Sequence, residues 1–97
     1  MAGKSLNFFQ SIEKLKGREN FHDWYESMEA YLRLEKLWAV VQAQSDGTFK
    51  TDADKMQEVR SKILLSCEPG ARIHFSKDDS VPNIWQKLKT AYEIKAF

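Results

Sequence analysis

Cysteine is almost missing from this chain: Cys67 is the single thiol among 97 residues. One thiol excludes an intramolecular disulfide and any cysteine-rich metal cage, and it agrees with a reducing compartment. Glycine and proline are scarce as well, at four and two residues. Gly17, Gly47 and Gly70 stand alone, so no glycine-rich loop is present to cradle a phosphate. Long apolar runs are lacking, since nothing approaches the ~20 residues that cross a bilayer. The first residues, "MAGKSLNFFQSIEKL", are too often polar for a signal-peptide core, and Ala2 stands where myristoylation needs glycine. The expected location is the cytosol or nucleus, with no membrane partner. An excess of one charge is missing too: 15 basic against 14 acidic side chains leave a net +1. A domain built mainly to grip nucleic acid usually carries a clear basic surplus.

What the chain does have is apolar material at helical spacing. Its composition, 42% hydrophobic and 12% aromatic, is enough for one packed core, near the lower end of comfortable domain size. Phe21, Trp24, Met28, Tyr31 and Leu32 recur at intervals of three and four and predict a helix, with Asn20 as its N-cap. "LEKLWAVV" predicts a short second helix after a bend. A polar stretch with an Asp46–Gly47 turn follows. Thr51 or Asp52 then caps a helix with the stripe Met56, Val59, Ile63, Leu64 and Cys67, ended or bent at Glu68-Pro69-Gly70. "ARIHFSKDD" reads as a short helix or turn. Ser80 caps a last helix with Pro82 in its first turn and Val81, Ile84, Trp85, Leu88, Ala91 and Tyr92 on one face. Sustained period-two alternation is absent, so the fold class is all-α, a compact bundle of four to six short helices. Residues 1–13, with Leu6, Phe8, Phe9 and Ile12, form an N-terminal arm that docks on its own domain or on a neighbour; residues 14–97 form the helical domain.

The residues that carry chemistry are sparse. His22, His74 and Cys67 match no metal-ligand spacing, and Cys67 and His74 are separated by Pro69 and Gly70. A thiol on an apolar helical stripe is a core residue before it is a nucleophile. The carboxylates are scattered without a paired motif. The sequence therefore predicts no catalytic residue, metal, cofactor or small-molecule substrate, and no enzyme. Lys14, Lys16 and Arg18 could touch phosphate, but Glu13 and Glu19 flank them, so any RNA contact is weak or indirect. Trp24, Trp38 and Trp85 all lie in apolar stripes, where core packing is a better reading than base stacking.

The order of these anchors resembles the N-terminal capsid region of Gag from copia-type LTR retrotransposons. The matching pieces are Leu15 and Gly17, Asn20 and Phe21, Trp24, Met28 and Leu32, then Leu37, Trp38, Val40 and Val41. Ile63 to Ser66 match an Ile-Leu-Leu-Ser-like helix end, and Trp85, Leu88 and Tyr92 a Trp-x-x-Leu-x-x-x-Tyr helix. The similarity runs from about Leu15 to Tyr92. It implies a capsid N-terminal-domain-like fold and a structural job: homo-oligomeric rings or shells, virus-like particles that package RNA. It also implies a C-terminal capsid half as a partner, absent here together with the zinc knuckle and the enzymes of such elements. The source is either a live element or a host gene domesticated from one. Self-association is then expected through Leu6, Phe8 and Phe9 and the polar faces of the first and last helices. The alternative is a monomeric helical adaptor that holds a host peptide in a groove between helices.

Overall fold

The computed structural model describes residues 8–42, 52–76 and 78–93. Leu6, the Asp46–Gly47 turn and Thr51 lie outside them. The described residues form four helical segments: a turn at residues 8–11, α1 (Arg18–Leu34), α2 (Ala53–Leu65) and α3 (Val81–Tyr92). Two 3-10 turns, Trp38–Val40 and Arg72–His74, complete them. No strand is present among the described residues; Leu15 and Cys67 make one isolated parallel bridge. The all-α class is therefore observed.

Helix α1 starts earlier than its apolar periodicity suggests. Gly17 is its N-cap, and Asn20 sits in the first turn. The Asn20 side chain faces backwards: Oδ1 accepts from the Lys16 and Gly17 amides at 2.9 and 3.3 Å, and Nδ2 donates to the Lys14 carbonyl at 2.8 Å. The same asparagine thus orders the entry from inside the helix, doing the work of the return half of a capping box. Gly17 has extended backbone at φ 173°, open to any residue. A Cβ there would meet only the tip of the flexible Glu19 side chain, at 2.8 Å.

The other end of α1 closes by a Schellman motif. Lys36 N–H donates to the Arg33 carbonyl at 3.1 Å, and Leu37 N–H to the Leu32 carbonyl at 2.7 Å. Lys36 occupies the left-handed region at φ 63°, a place glycine fills without steric cost. The chain then reverses into the Trp38–Val40 turn, so the expected second helix is a single 3-10 turn. Its short length brings Leu37, Trp38, Val40 and Val41 all into the core.

Asp52 caps α2 by accepting from the Lys55 amide at 3.0 Å, and Ser80 caps α3 by accepting from the Asn83 amide at 3.3 Å. Helix α2 ends at Leu65, ahead of Glu68-Pro69-Gly70. Its end is fixed by contact with another part of the chain. Leu15 N–H donates to the Ser66 carbonyl and Glu68 N–H to the Leu15 carbonyl, each at 2.8 Å. Val59 and Ile63 are buried on the inner face, whereas Leu64, at the flank of that face, is 41% exposed, against the sequence stripe. Arg72 covers the helix end from outside, its Nε donating to the Leu64 and Cys67 carbonyls at 3.0 and 3.1 Å.

One core results. Leu15, Trp24, Met28, Tyr31, Leu32, Val59, Ile63, Ile84 and Leu88 are each 2% exposed or less. Its aromatic part is a seam between α1 and α3: the Trp85 ring lies 5.5 Å from Trp24, 5.0 Å from Tyr25 and 5.4 Å, edge-on, from Trp38. The two buried indoles differ in their polar atom. Trp24 Nε1 donates to the Ser66 carbonyl at 2.9 Å, and Trp85 Nε1 has no acceptor among the described residues.

This difference yields a paired expectation. Trp24→Phe removes a buried hydrogen bond as well as ring volume, and Trp85→Phe removes volume and an unmatched donor. Trp24→Phe is expected to cost ~1–2 kcal/mol more than Trp85→Phe, because a buried acceptor loses one of its donors in the first case only. Urea unfolding followed by far-UV circular dichroism measures both. Equal losses would contradict the account. At the α1 terminus, Lys36→Gly is expected to raise stability by up to ~1 kcal/mol, relief of the left-handed penalty being partly offset by the entropy of a more flexible unfolded chain.

Candidate functional site

Residues 8–12 carry the described part of the arm, and they lie on the domain's own surface. Phe9 and Ile12 are half-buried against the core, and Phe8 is 40% exposed. Their seat is Tyr31 of α1. The Phe8 ring stacks on it with centroids 6.2 Å apart and planes 10° from parallel, and the Phe9 ring tilts against it at 5.1 Å. The four-residue turn has its own local bonds, Ser11 Oγ to the Phe8 carbonyl at 2.7 Å and Ile12 N–H to the Phe9 carbonyl at 3.1 Å. A single turn is far below the length at which a helix is stable alone, so docking is what holds it.

Lys62 of α2 closes the seat. Its ammonium lies 5.2 Å from the Phe9 centroid and 4.9 Å from the Tyr31 centroid, donates to Tyr31 Oη, and pairs with Glu58 at 3.6 Å. With its side chain 19% exposed, Lys62 is mostly desolvated, the condition under which cation–π attraction approaches ~2 kcal/mol. Sequence reading passed over Lys62, because a lysine on a helix is ordinarily a solvated charge. The signal lay in its place one residue before buried Ile63, on the flank of the apolar stripe. Beneath the turn, a cavity of about 120 Å³ separates Ser11 and Ile12 from Asp23 and Ser27 of α1. The seat is aromatic and charged, and the hollow lies beside it, lined by neither Tyr31 nor Lys62.

A second surface runs along the outside of α1. It is an open groove of about 880 Å³ with Phe21, Tyr25 and Tyr92 on its floor. Two polar contacts edge it: His22 Nε2 lies 2.7 Å from Glu26, and Arg33 Nε pairs with Glu29 at 2.9 Å. Arg33 also covers the Trp38 ring at 5.1 Å. Burial, with Cys67 and Glu19 nearby, pushes the Tyr92 phenol above its ordinary value.

Most of the residues matched to the capsid region fall into the core: Leu15, Trp24, Met28, Leu32, Leu37, Trp38, Trp85 and Leu88 are buried and Tyr92 is half-buried at the groove, whereas Leu64 and Leu65 of the Ile63–Ser66 piece are exposed. The basic trio separates in role. Lys16 pairs with Glu13 at 3.2 Å, the Lys14 carbonyl holds Asn20, and Arg18 lines the groove. Lys87 and the Ser76 amide hold the Asp79 carboxyl below its usual range. Among the described residues no three His, Cys, Asp or Glu side chains converge as a metal site, and no helix is long and apolar enough to cross a membrane. No protein family, curated protein or solved structure matches the chain.

Cys67 is fully buried. Burial pushes its thiol from 9.0 up to about 12, the Arg72 charge pulling the other way. A raised acid favours the neutral form when folded. Its contribution to stability is thus complete below the unfolded value and is lost as pH rises from about 9 towards about 12, where only the unfolded chain gains by ionising. The expected outcome is a thiol that resists 5,5′-dithiobis(2-nitrobenzoate) at pH 8 in the folded protein and reacts at once in denaturant. Fast labelling without denaturant would contradict this burial.

Proposed function

We propose that the chain is a structural self-assembly unit of the copia-type Gag capsid class, working through contacts between copies. The observation that carries the reading is the fate of the anchor residues. Pieces dispersed from Leu15 to Leu88 mostly converge in one core, which supports reading the matched anchors as parts of a single packed unit. Such a unit keeps its shape when pulled on from several sides, which repeated lateral contacts require. Several large apolar side chains remain outside: Leu34 and Leu65 are more than half exposed and Ile73 is 79% exposed. The nearly balanced surface charge, net +1 overall, also favours like meeting like without long-range repulsion.

In this reading the unit works with a C-terminal capsid half, and RNA is enclosed by the assembly more than it is gripped by this domain. Size-exclusion chromatography with light scattering over a wide concentration range tests it, with electron microscopy of the heaviest fractions. Concentration-dependent oligomers, reduced by Ile73→Asp or Leu65→Lys at unchanged helicity, are expected. A strict monomer at the highest concentration and salt would overturn self-association by this segment.

The groove along α1 favours a second reading, the helical adaptor. Its aromatic floor and polar edges suit an extended or amphipathic peptide. One foreign partner bound in fixed stoichiometry, lost on Tyr25→Ala, with no self-association, would select it.

A further inference from the structure

We propose that residues 8–12 are an exchangeable strap, and that their seat on Tyr31 and Lys62 accepts the same residues from a second copy. The proposal rests on the self-association reading and names the surface through which two copies would meet. The seat's complement is already visible: Phe8 and Phe9 occupy it within one chain, at 6.2 and 5.1 Å from the Tyr31 ring. Any contact made in one chain is available between two, because the sequence is the same on both. Occupancy is therefore a contest between a tethered strap and a neighbour's.

Three features make that contest close. The turn has no stability of its own and is flanked by an open hollow of about 120 Å³ facing Asp23 and Ser27, so little beyond the two rings, Ile12 and the Lys62 ammonium holds it down. The fixed point behind it is unusually firm: Leu15 is buried and bonded through both its amide and its carbonyl to the end of α2. Between strap and fixed point lie only Glu13 and Lys14, both exposed and without regular structure, held by two contacts, the Glu13–Lys16 pair at 3.2 Å and the Asn20 bond to the Lys14 carbonyl at 2.8 Å. Two residues reach no more than ~7 Å when extended, so a released strap swings about Leu15 and stays near its own seat. A second copy presenting an equivalent seat at that edge would receive it, and reciprocal exchange closes a two-fold pair with no strap left over. Lys62 acts as the latch in either arrangement, since its ammonium touches the rings of both strap and seat.

Full-length chains test this directly. Ser11 lies on the strap and Ser27 on α1, both lining the cavity between them. Ser11→Cys and Ser27→Cys are made in separate chains with different mass tags, unfolded and refolded together, and treated with a short bismaleimide; buried Cys67 is shielded. The doubly substituted single chain sets the yield for a strap in its own seat. Exchange predicts a cross-linked dimer carrying both tags, increasing with refolding concentration and falling several-fold when Lys62→Met is placed in the Ser27→Cys chain. Absence of the two-tag dimer at concentrations where the chain is oligomeric overturns it. A chain lacking residues 1–12 separates the two ideas. If it associates as well as the full chain, exchange fails and self-assembly stands; if neither associates, both fail; if only the full chain does, both are supported.

Discussion

The Ser66 carbonyl oxygen is the point on which the other contacts depend. It accepts from the Leu15 amide at 2.8 Å and from Trp24 Nε1 at 2.9 Å, so one acceptor joins the entry segment, the first helix and the end of the second. Ser66 is the one buried polar residue among those described, and its hydroxyl is spent locally on the Ile63 carbonyl at 3.0 Å. A helix end normally leaves carbonyls that must find donors. Here the last turn of α2 is closed by Ser66, Cys67 and Arg72, and the next carbonyl is matched to a distant indole. With both its donors in place, the position of Trp24 is set along the axis of α1 as well as against the core.

That placement decides how α3 can pack. Trp85 fits between Trp24, Tyr25 and Trp38, and a ring displaced along α1 would leave it without its stacking neighbours. Offset and edge-on aromatic pairs add ~0.5–1.5 kcal/mol each beyond the area they bury. The seam therefore supplies a large part of what a domain this small needs. Its price is the Trp85 N–H, surrounded by rings and without an acceptor among the described residues. The core tolerates one unmatched donor because the same ring makes three aromatic contacts.

The three long helices were legible in the sequence because burial on one face leaves a periodic trace, as Phe21, Trp24, Met28, Tyr31 and Leu32 do in α1. Side-chain caps were legible where the oxygen bonds forward, as at Asp52 and Ser80. Asn20 was misplaced since an asparagine near a helix start signals a cap without saying which way its amide turns. Leu64 was misplaced because it stands about 100° round the helix from Ile63, at the flank of the stripe, where periodicity does not say whether another element covers it. The candidate contact surface was half legible. Phe8 and Phe9 stood out as apolar residues outside any confident helix, but their seat is made by Tyr31 and Lys62, which read as an ordinary stripe residue and an ordinary surface charge. Composition records what a residue is, and the seat depends on what α1 and α2 bring side by side.

The firmness of the core and the looseness of the strap have one origin. Leu15 is bonded on both sides to the α2 terminus, so the described elements after it belong to one packed unit whose parts share Ser66, Trp24 and Trp85. Residues 8–12 are attached by side chains: among the described residues none of their backbone hydrogen bonds leaves the segment, the Ile12 amide returning to Phe9. Opening at low free energy is drawn from segments of that kind. A body that cannot deform, joined at a sharp boundary to a short apolar element that can let go, concentrates adaptability at one edge. Contacts between copies of an assembling unit need that combination, because the body sets the angle of each contact while the edge decides whether it forms.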